Sequence, residues 1–251
     1  MSAVAGRVAE GSEQVAEAER AEDEARMSLL EHLEELRSRL IKAALALLVG
    51  TLISFALAQQ IMEFLARPIG GLSQLESIEI TENIGVFMRV SLASGAVIAM
   101  PVLVYQLWRF IAPGLVPRER RYVYYVVPGA TLLFLLGAAF AYFVMLPVAV
   151  PFLKNFLGIP NTPRPANYFS FVTWVMLSMG VSFETPIFIF FLAKMGLVSP
   201  RTLLRQWRYA VVIIAIIAAV VTPTVDPVNM SIVMVPLLAL YALSILLAYL
   251  A

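Results

Sequence analysis

The sequence contains no cysteine and a single histidine, His32. The missing cysteines exclude disulfide bonds, thiol catalysis and cysteine-ligated metals. One histidine cannot form a histidine-cluster metal site, and a serine–histidine pair would have to use this one residue. We therefore expect no enzymatic activity, no cofactor, no metal site and no nucleic-acid partner.

Charged residues are also scarce, at 14% of the 251 residues, whereas hydrophobic residues make up 61%. A soluble domain usually carries about 25% charged residues. The composition predicts an all-α membrane protein, because a span needs about 20 apolar residues to cross a bilayer. Six spans are predicted, near residues 39–58, 86–108, 122–146, 170–193, 208–223 and 228–250.

The fifth predicted span is unusually short. Its uninterrupted apolar run, "AVVIIAIIAAVV" at 210–221, is only about 18 Å long as a helix. Trp207 and Tyr209 could complete the span at the membrane interface, or the bilayer could be thinned locally. The sequence leaves both explanations open.

The basic residues are distributed unevenly between the two sides of the predicted membrane. Fourteen of the 18 Lys and Arg residues lie in the N-terminal segment, the second loop and the fourth loop. Basic loops remain in the cytoplasm. The distribution predicts a multi-pass protein of the cytoplasmic (inner) membrane with both termini in the cytoplasm.

The chain divides into an acidic tail, residues 1–27, and a membrane domain, residues 28–251. We expect the tail to be disordered in the cytoplasm. The domain begins with "SLLEHLEELRSRL", in which Ser28 and Glu31 fit a capping box. Leucines recur there at helical spacing. The pattern predicts an amphipathic helix that lies along the interface and runs into the first span.

The loops on the outer side contain structural signals. The first, residues 59–85, has short apolar stretches, which indicate a structured cap. In "VTPTVDPVN", Asp226 stands between prolines, where its carboxylate is typical of a turn and helix N-cap.

Glu184 is the one acidic residue within the predicted spans, in "MGVSFETPIFIFF". An ionisable residue there usually faces protein or water and indicates a functional site. Pro186 weakens the helix beside it. Glu184 could serve a function within the membrane, such as carrying protons, or it could join this protein's own helices.

Five motifs occur in order along the predicted spans: "HLEELRSRL", "PVLVYQLWRFIAPGL" followed by "ERR", "FAYF", "GVSFETP" and "TPTVDP". Together they resemble TatC, the multi-spanning subunit of the twin-arginine (Sec-independent) protein translocase. The resemblance covers about residues 28–250. It implies a receptor that binds twin-arginine signal peptides of folded cargo, uses the proton-motive force, and assembles with single-span subunits (TatA/TatB-like) in an oligomeric complex in membrane lipid.

The resemblance also implies roles for individual residues. It assigns signal-peptide binding to one set of residues: Glu35, Arg37, Phe110, Glu119, Arg120 and Arg121. It makes Glu184 an intramembrane polar site for partner helices, and Pro68 and Asp226 functional candidates in the outer loops. An alternative from another class is a proton-coupled secondary transporter that uses Glu184.

Two positions depart from the family pattern. Ala242 replaces a glutamate that family members often carry after the aromatic residue of the sixth span. Met230 replaces a glutamine that often follows the loop aspartate. The partner contacts of the last two spans are therefore expected to differ in polarity.

Overall fold

The computed structural model describes residues 31–111, 123–155, 158, 161–222 and 227–250. Within these residues the regular secondary structure is entirely helical, as predicted. The main helices are α1 (Glu31–Ala56), α2 (Ala58–Leu65), α3 (Glu82–Ile111), α4 (Val123–Phe140), α5 (Leu146–Lys154), α6 (Pro165–Phe183), α7 (Thr185–Lys194), α8 (Pro200–Arg205), α9 (Trp207–Val221) and α10 (Pro227–Leu250).

Each of the six spans predicted from hydropathy corresponds to a helical segment. The first, second and sixth lie in α1, α3 and α10. The third is built from α4, a π-helical turn at Ala141–Met145, and α5. The fourth is built from α6 and α7. The six-span prediction is therefore confirmed.

The fifth span, α9, has 15 residues, a length of about 22 Å. It begins at Trp207, and the side chains of Trp207 and Tyr209 are both exposed. These aromatic residues extend the short apolar run at its N-terminal end. The arrangement agrees with the explanation that Trp207 and Tyr209 complete the span at the membrane interface.

The predicted amphipathic helix continues without a break into the first span, as α1. Its leucines Leu33 and Leu40 are exposed on the surface of the bundle. The first span is the least buried of the five long ones, whereas the third is half buried and forms the centre of the fold.

Glycines let neighbouring spans approach closely. A Cβ atom on Gly95 of α3 would lie 2.6 Å from the Thr51 Cα of α1. A Cβ atom on Gly137 of α4 would lie 2.6 Å from the Met179 carbonyl oxygen of α6. Separations this small are possible only without a side chain.

Two ends of the bundle carry the polar sites. The basic end is where α1 begins and α3 ends. The cap end is where α1 ends and α3 begins, and it contains α2 and two short 3₁₀ turns, Arg67–Ile69 and Leu72–Gln74. The predicted structured cap is therefore present.

Candidate functional sites

At the basic end, two contacts hold the start of α1 against the end of α3. The His32 ring stacks on the Phe110 ring with centroids 4.6 Å apart. Two turns further along α1, the Arg39 Nη1 atom donates a hydrogen bond to Gln106 Oε1 at 3.4 Å. Because the two helices run in opposite directions, these contacts are in register. They orient one face of α1 toward α3.

Glu35 lies on this face, between the two contacts. Its Oε1 atom accepts a hydrogen bond from Arg39 Nη2 at 3.0 Å, an i,i+4 ion pair. The side chain of Glu35 is 29% exposed and that of Arg39 is 18% exposed. Glu35 therefore presents a partly accessible carboxylate close to the stacked rings of His32 and Phe110.

The predicted signal-peptide residues are only partly brought together in the described chain. Glu35 and Phe110 lie on facing helices: Phe110 forms the stack with His32, and Glu35 lies one turn along α1 from His32. Arg37 is exposed and lies about 200° around α1 from Glu35, on another face. The remaining residues of that set, Glu119, Arg120 and Arg121, lie outside the described residues.

Sequence reasoning missed Arg39 and Gln106 at this site. The spacing of Glu35 and Arg39, four residues apart on a helix, could have predicted their pairing. Nothing in the sequence could have predicted Gln106, because its contact with Arg39 joins residues 67 positions apart.

Glu184 lies at the junction of α6 and α7 in the fourth span. Its backbone continues the helical path, with φ −69° and ψ −19°, and its carbonyl oxygen accepts a hydrogen bond from the Phe188 amide at 3.0 Å. Pro186 falls in the first turn of α7 and cannot donate a backbone hydrogen bond. The junction between α6 and α7 lies beside Pro186, where the sequence predicts a weakened helix.

The Glu184 carboxyl group is half-buried and incompletely satisfied. Its Oε1 atom is buried and has no hydrogen-bond partner among the described residues. One turn earlier, Gly180 packs against Phe134 so tightly that a Cβ atom would lie 2.6 Å from the ring. This packing fixes the helix that carries Glu184. A buried polar atom without a hydrogen-bond partner is costly.

At the cap end, Glu82 is the most highly connected carboxylate described. Its side chain is 2% exposed. One oxygen accepts from the Ala166 amide at 3.1 Å, and the other accepts from the Ile78 amide at 3.2 Å and from Arg164 Nη2 at 3.2 Å. Glu82 thereby joins the start of α3 to the start of α6.

Arg164 completes this ion-pair cluster. Its Nη2 atom also donates to Glu79 Oε1 at 2.8 Å. The carboxylates of Glu79 and Glu82 accept hydrogen bonds from Arg164 and raise the pKa of its guanidinium above the usual value. This cluster could not be predicted from the sequence, because two partners of Glu82, Arg164 and Ala166, lie more than 80 positions away.

Pro68 lies in the 3₁₀ turn that follows α2. The last carbonyl groups of α2 are bound by two tyrosines: Tyr142 donates its hydroxyl to Phe64 O at 2.6 Å, and Tyr168 donates to Leu65 O at 2.7 Å. These bonds fix the chain just before Pro68. Asp226, the other outer-loop candidate, and its predicted N-cap lie outside the described residues.

The two departures from the family pattern lie in different surroundings. Ala242 is exposed on the surface of α10, whereas Met230 is partly buried against the apolar core formed by the third, fourth, fifth and sixth spans. Only Ala242 therefore changes the polarity of an exposed surface.

These observations define the class of the protein: a multi-spanning helical membrane protein with a polar site at each end and the Glu184 carboxyl group within its fourth span. The family model for TatC, the Sec-independent protein translocase protein, matches residues 31–236. The chain belongs to the TatC family. It is therefore a component of the Sec-independent protein translocase, a transport protein and not an enzyme.

Individual relatives are similar over nearly the whole chain. The TatC protein of Aquifex aeolicus (strain VF5) is 40% identical over 234 residues, which cover 90% of this chain and 96% of that protein. The TatC protein of Deinococcus radiodurans is 39% identical over 230 residues, which cover 88% and 85%. A crystal structure of the twin arginine translocase receptor TatC is 38% identical, with a TM-score of 0.78, and covers 86% of this chain and 99% of that one.

Proposed function

We propose that this protein is the twin-arginine signal-peptide receptor and assembly core of a translocase that exports folded proteins across the cytoplasmic membrane. The observation that carries the proposal is the partly exposed Glu35 carboxylate, held between the His32–Phe110 stack and the Arg39–Gln106 contact. The solved receptor structure to which the chain is similar supports the same function.

The chemistry of the basic end suits an arginine ligand. A carboxylate can accept two parallel hydrogen bonds from one guanidinium, a geometry that the lysine ammonium group cannot reproduce. Glu35 binds one arginine of the signal peptide in this proposal. Glu119 binds the other, because its loop follows directly from α3, the helix that carries Phe110. Arg37, Arg120 and Arg121 complete the recognition surface.

The proposed orientation places the basic end in the cytoplasm, together with both termini, in the inner membrane. The excess of Lys and Arg in the segments at this end supports it. We further propose that transport is driven by the proton-motive force, as the resemblance to the TatC family implies, and the sequence has no phosphate-binding loop that would speak against it.

Glu184 is proposed to bind single-span partner subunits (TatA/TatB-like) in an oligomeric complex. Its buried oxygen lacks a hydrogen-bond partner among the described residues, so a polar group on a partner helix would satisfy it. In the cap, Pro68 and Asp226 are proposed to contribute to function through the geometry of the outer loops.

The test of signal-peptide recognition is photocrosslinking of a twin-arginine signal peptide to the full chain in membranes. Glu35→Ala and Glu119→Ala should each abolish crosslinking, because each removes the carboxylate for one guanidinium. Glu31→Ala should retain it, since Glu31 is an exposed acid on the same helix without a role in the site. Equal losses in all three variants, or equal crosslinking of a Lys-Lys peptide, would refute the proposed recognition.

The test of the partner site compares two substitutions of Glu184. Glu184→Gln keeps a hydrogen-bonding group and should preserve copurification of single-span subunits better than Glu184→Ala. Export of a folded reporter should follow the same order. Equal loss in both variants would assign Glu184 to proton titration instead.

The alternative of a proton-coupled secondary transporter is not favoured. The chain belongs to a family of protein translocase components, and the family match extends over residues 31–236. Glu184 lies within that match.

A further inference from the structure

The structure assigns Arg39 a role at the proposed recognition site: we propose that it is an internal competitor, which occupies the Glu35 carboxylate until a signal-peptide arginine displaces it. This inference rests on the proposed function, because it concerns the same carboxylate. It adds a residue that regulates the affinity of that site.

The first observation is that Glu35 is already paired. Arg39 Nη2 donates to Glu35 Oε1 at 3.0 Å, and a guanidinium is the group that the signal peptide is proposed to bring. The pair uses a single hydrogen bond rather than the parallel pair of bonds that Arg and carboxylate can form. An incoming arginine that binds both oxygens therefore replaces a weaker contact of the same chemical kind.

The second observation is that Arg39 has another partner when it is displaced. Its Nη1 atom donates to Gln106 Oε1 at 3.4 Å. Gln106 lies on α3, so this contact holds the guanidinium beside the site without the carboxylate. Arg39 can thus yield Glu35 without losing its own position against α3.

The third observation is that Arg39 is confined. Its side chain is only 18% exposed, and its Nε atom is buried without a hydrogen-bond partner among the described residues. Such confinement keeps the guanidinium at a high local concentration near Glu35. When the peptide leaves, Arg39 returns, so the half-buried carboxylate is not left without a counter-charge.

Competition by Arg39 should reduce the affinity of the site for the signal peptide by a predictable factor. Exposed and i,i+4 ion pairs have strengths that correspond to about a 2- to 5-fold occupancy ratio. A competitor of this strength weakens peptide binding by about the same factor. It favours release of the signal peptide after recognition.

The experiment measures the dissociation constant of a fluorescently labelled twin-arginine peptide for the full chain in detergent, at constant ionic strength. Arg39→Gln should bind the peptide about 2- to 5-fold more tightly than the wild type. Arg39→Met, which keeps the apolar stem and removes the charge, should give the same gain. Unchanged or weaker binding in both variants would overturn the proposal.

Lys42→Gln is the matched control. Lys42 is exposed on the same helix, and its replacement removes one positive charge without freeing Glu35. It should leave the dissociation constant unchanged. An equal gain in Lys42→Gln would show that net charge, and not release of Glu35, causes the effect.

A second control removes the contested carboxylate. In a Glu35→Gln background, in which binding of the peptide is expected to be lost, Arg39→Gln should not restore it, because the carboxylate that Arg39 competes for is absent. Restored binding there would also overturn the proposal. The wild type measured with twin-arginine and Lys-Lys peptides tests the proposed function separately: selectivity without a gain in the Arg39 variants refutes only the competitor role.

Discussion

The two ends of the bundle each contain a glutamate paired with an arginine, but in opposite surroundings. At the basic end, Glu35 accepts one hydrogen bond from Arg39 and remains 29% exposed. At the cap end, Glu82 is 2% exposed and accepts hydrogen bonds from Arg164 and from the amides of two chain segments. The same pair of residue types thus has different numbers of partners and different access to water.

This difference in burial and in number of partners distinguishes an ion pair that a ligand can replace from one that holds the fold together. A partly exposed i,i+4 ion pair with a single hydrogen bond contributes little stability and can be replaced by another ion pair at small cost. A buried carboxylate with several donors cannot be removed without leaving those donors unsatisfied. The basic end is therefore suited to bind a charged ligand, whereas the cap end holds α3, α6 and the loop between α2 and α3 together.

The largest effect is expected from Glu82→Gln at the cap end. An amide has one acceptor oxygen, so its NH₂ group would face the amide or guanidinium donors that Glu82 now satisfies. Thermal unfolding of the purified protein in detergent should show a midpoint lowered by several degrees, the greatest loss among the substitutions considered.

Glu79→Gln is the matched control for this substitution. Glu79 also pairs with Arg164, but its side chain is 65% exposed. Its replacement should change the unfolding midpoint much less than Glu82→Gln. Similar losses in both variants would contradict the anchoring role of the buried carboxylate.

A smaller effect is expected from Tyr142→Phe, which also acts on the cap end. It removes the hydroxyl that donates to Phe64 O at 2.6 Å and retains the aromatic stacking on Phe64. The free energy of unfolding should fall by about 1 kcal/mol, the usual net value of one hydrogen bond. Denaturant unfolding measures it, with the exposed residue in Tyr209→Phe as the control that should show no change.

The smallest effect on stability is expected from Glu35→Gln at the basic end. It removes one partly exposed i,i+4 pair, so the free energy of unfolding should change by about 0.5 kcal/mol or less. Binding of the twin-arginine peptide should nevertheless be lost. If Glu35→Gln lowers the unfolding midpoint as much as Glu82→Gln, the two ends do not differ as described.

Hydropathy was sufficient to predict the number and order of the spans, because each helix must satisfy its own backbone groups in lipid. The short fifth span and the structured cap were also evident in the residue pattern. The helix junction at Glu184 followed from Pro186, whose missing amide hydrogen is a local property of one residue. Each of these features is determined by residues that lie close to it in the sequence.

The partners of the polar residues could not be predicted in this way. Glu82 looked like any acid of an outer loop until its contacts with Arg164 and Ala166 were known. Likewise, the proximity of His32 to Phe110 depends on how α1 packs against α3. Contacts of this kind join residues far apart in the chain, and no local pattern encodes them.

By itself, the sequence determined a six-span helical membrane protein and, through its motifs, membership of the TatC family. Only the tertiary structure decided which of two similar ion pairs is accessible and which is buried. The physical reason is that hydropathy and helix formation act over neighbouring residues, whereas solvent access depends on the helices that pack around a side chain. Glu35 and Glu82 have the same chemistry, and their neighbours in space give them different roles.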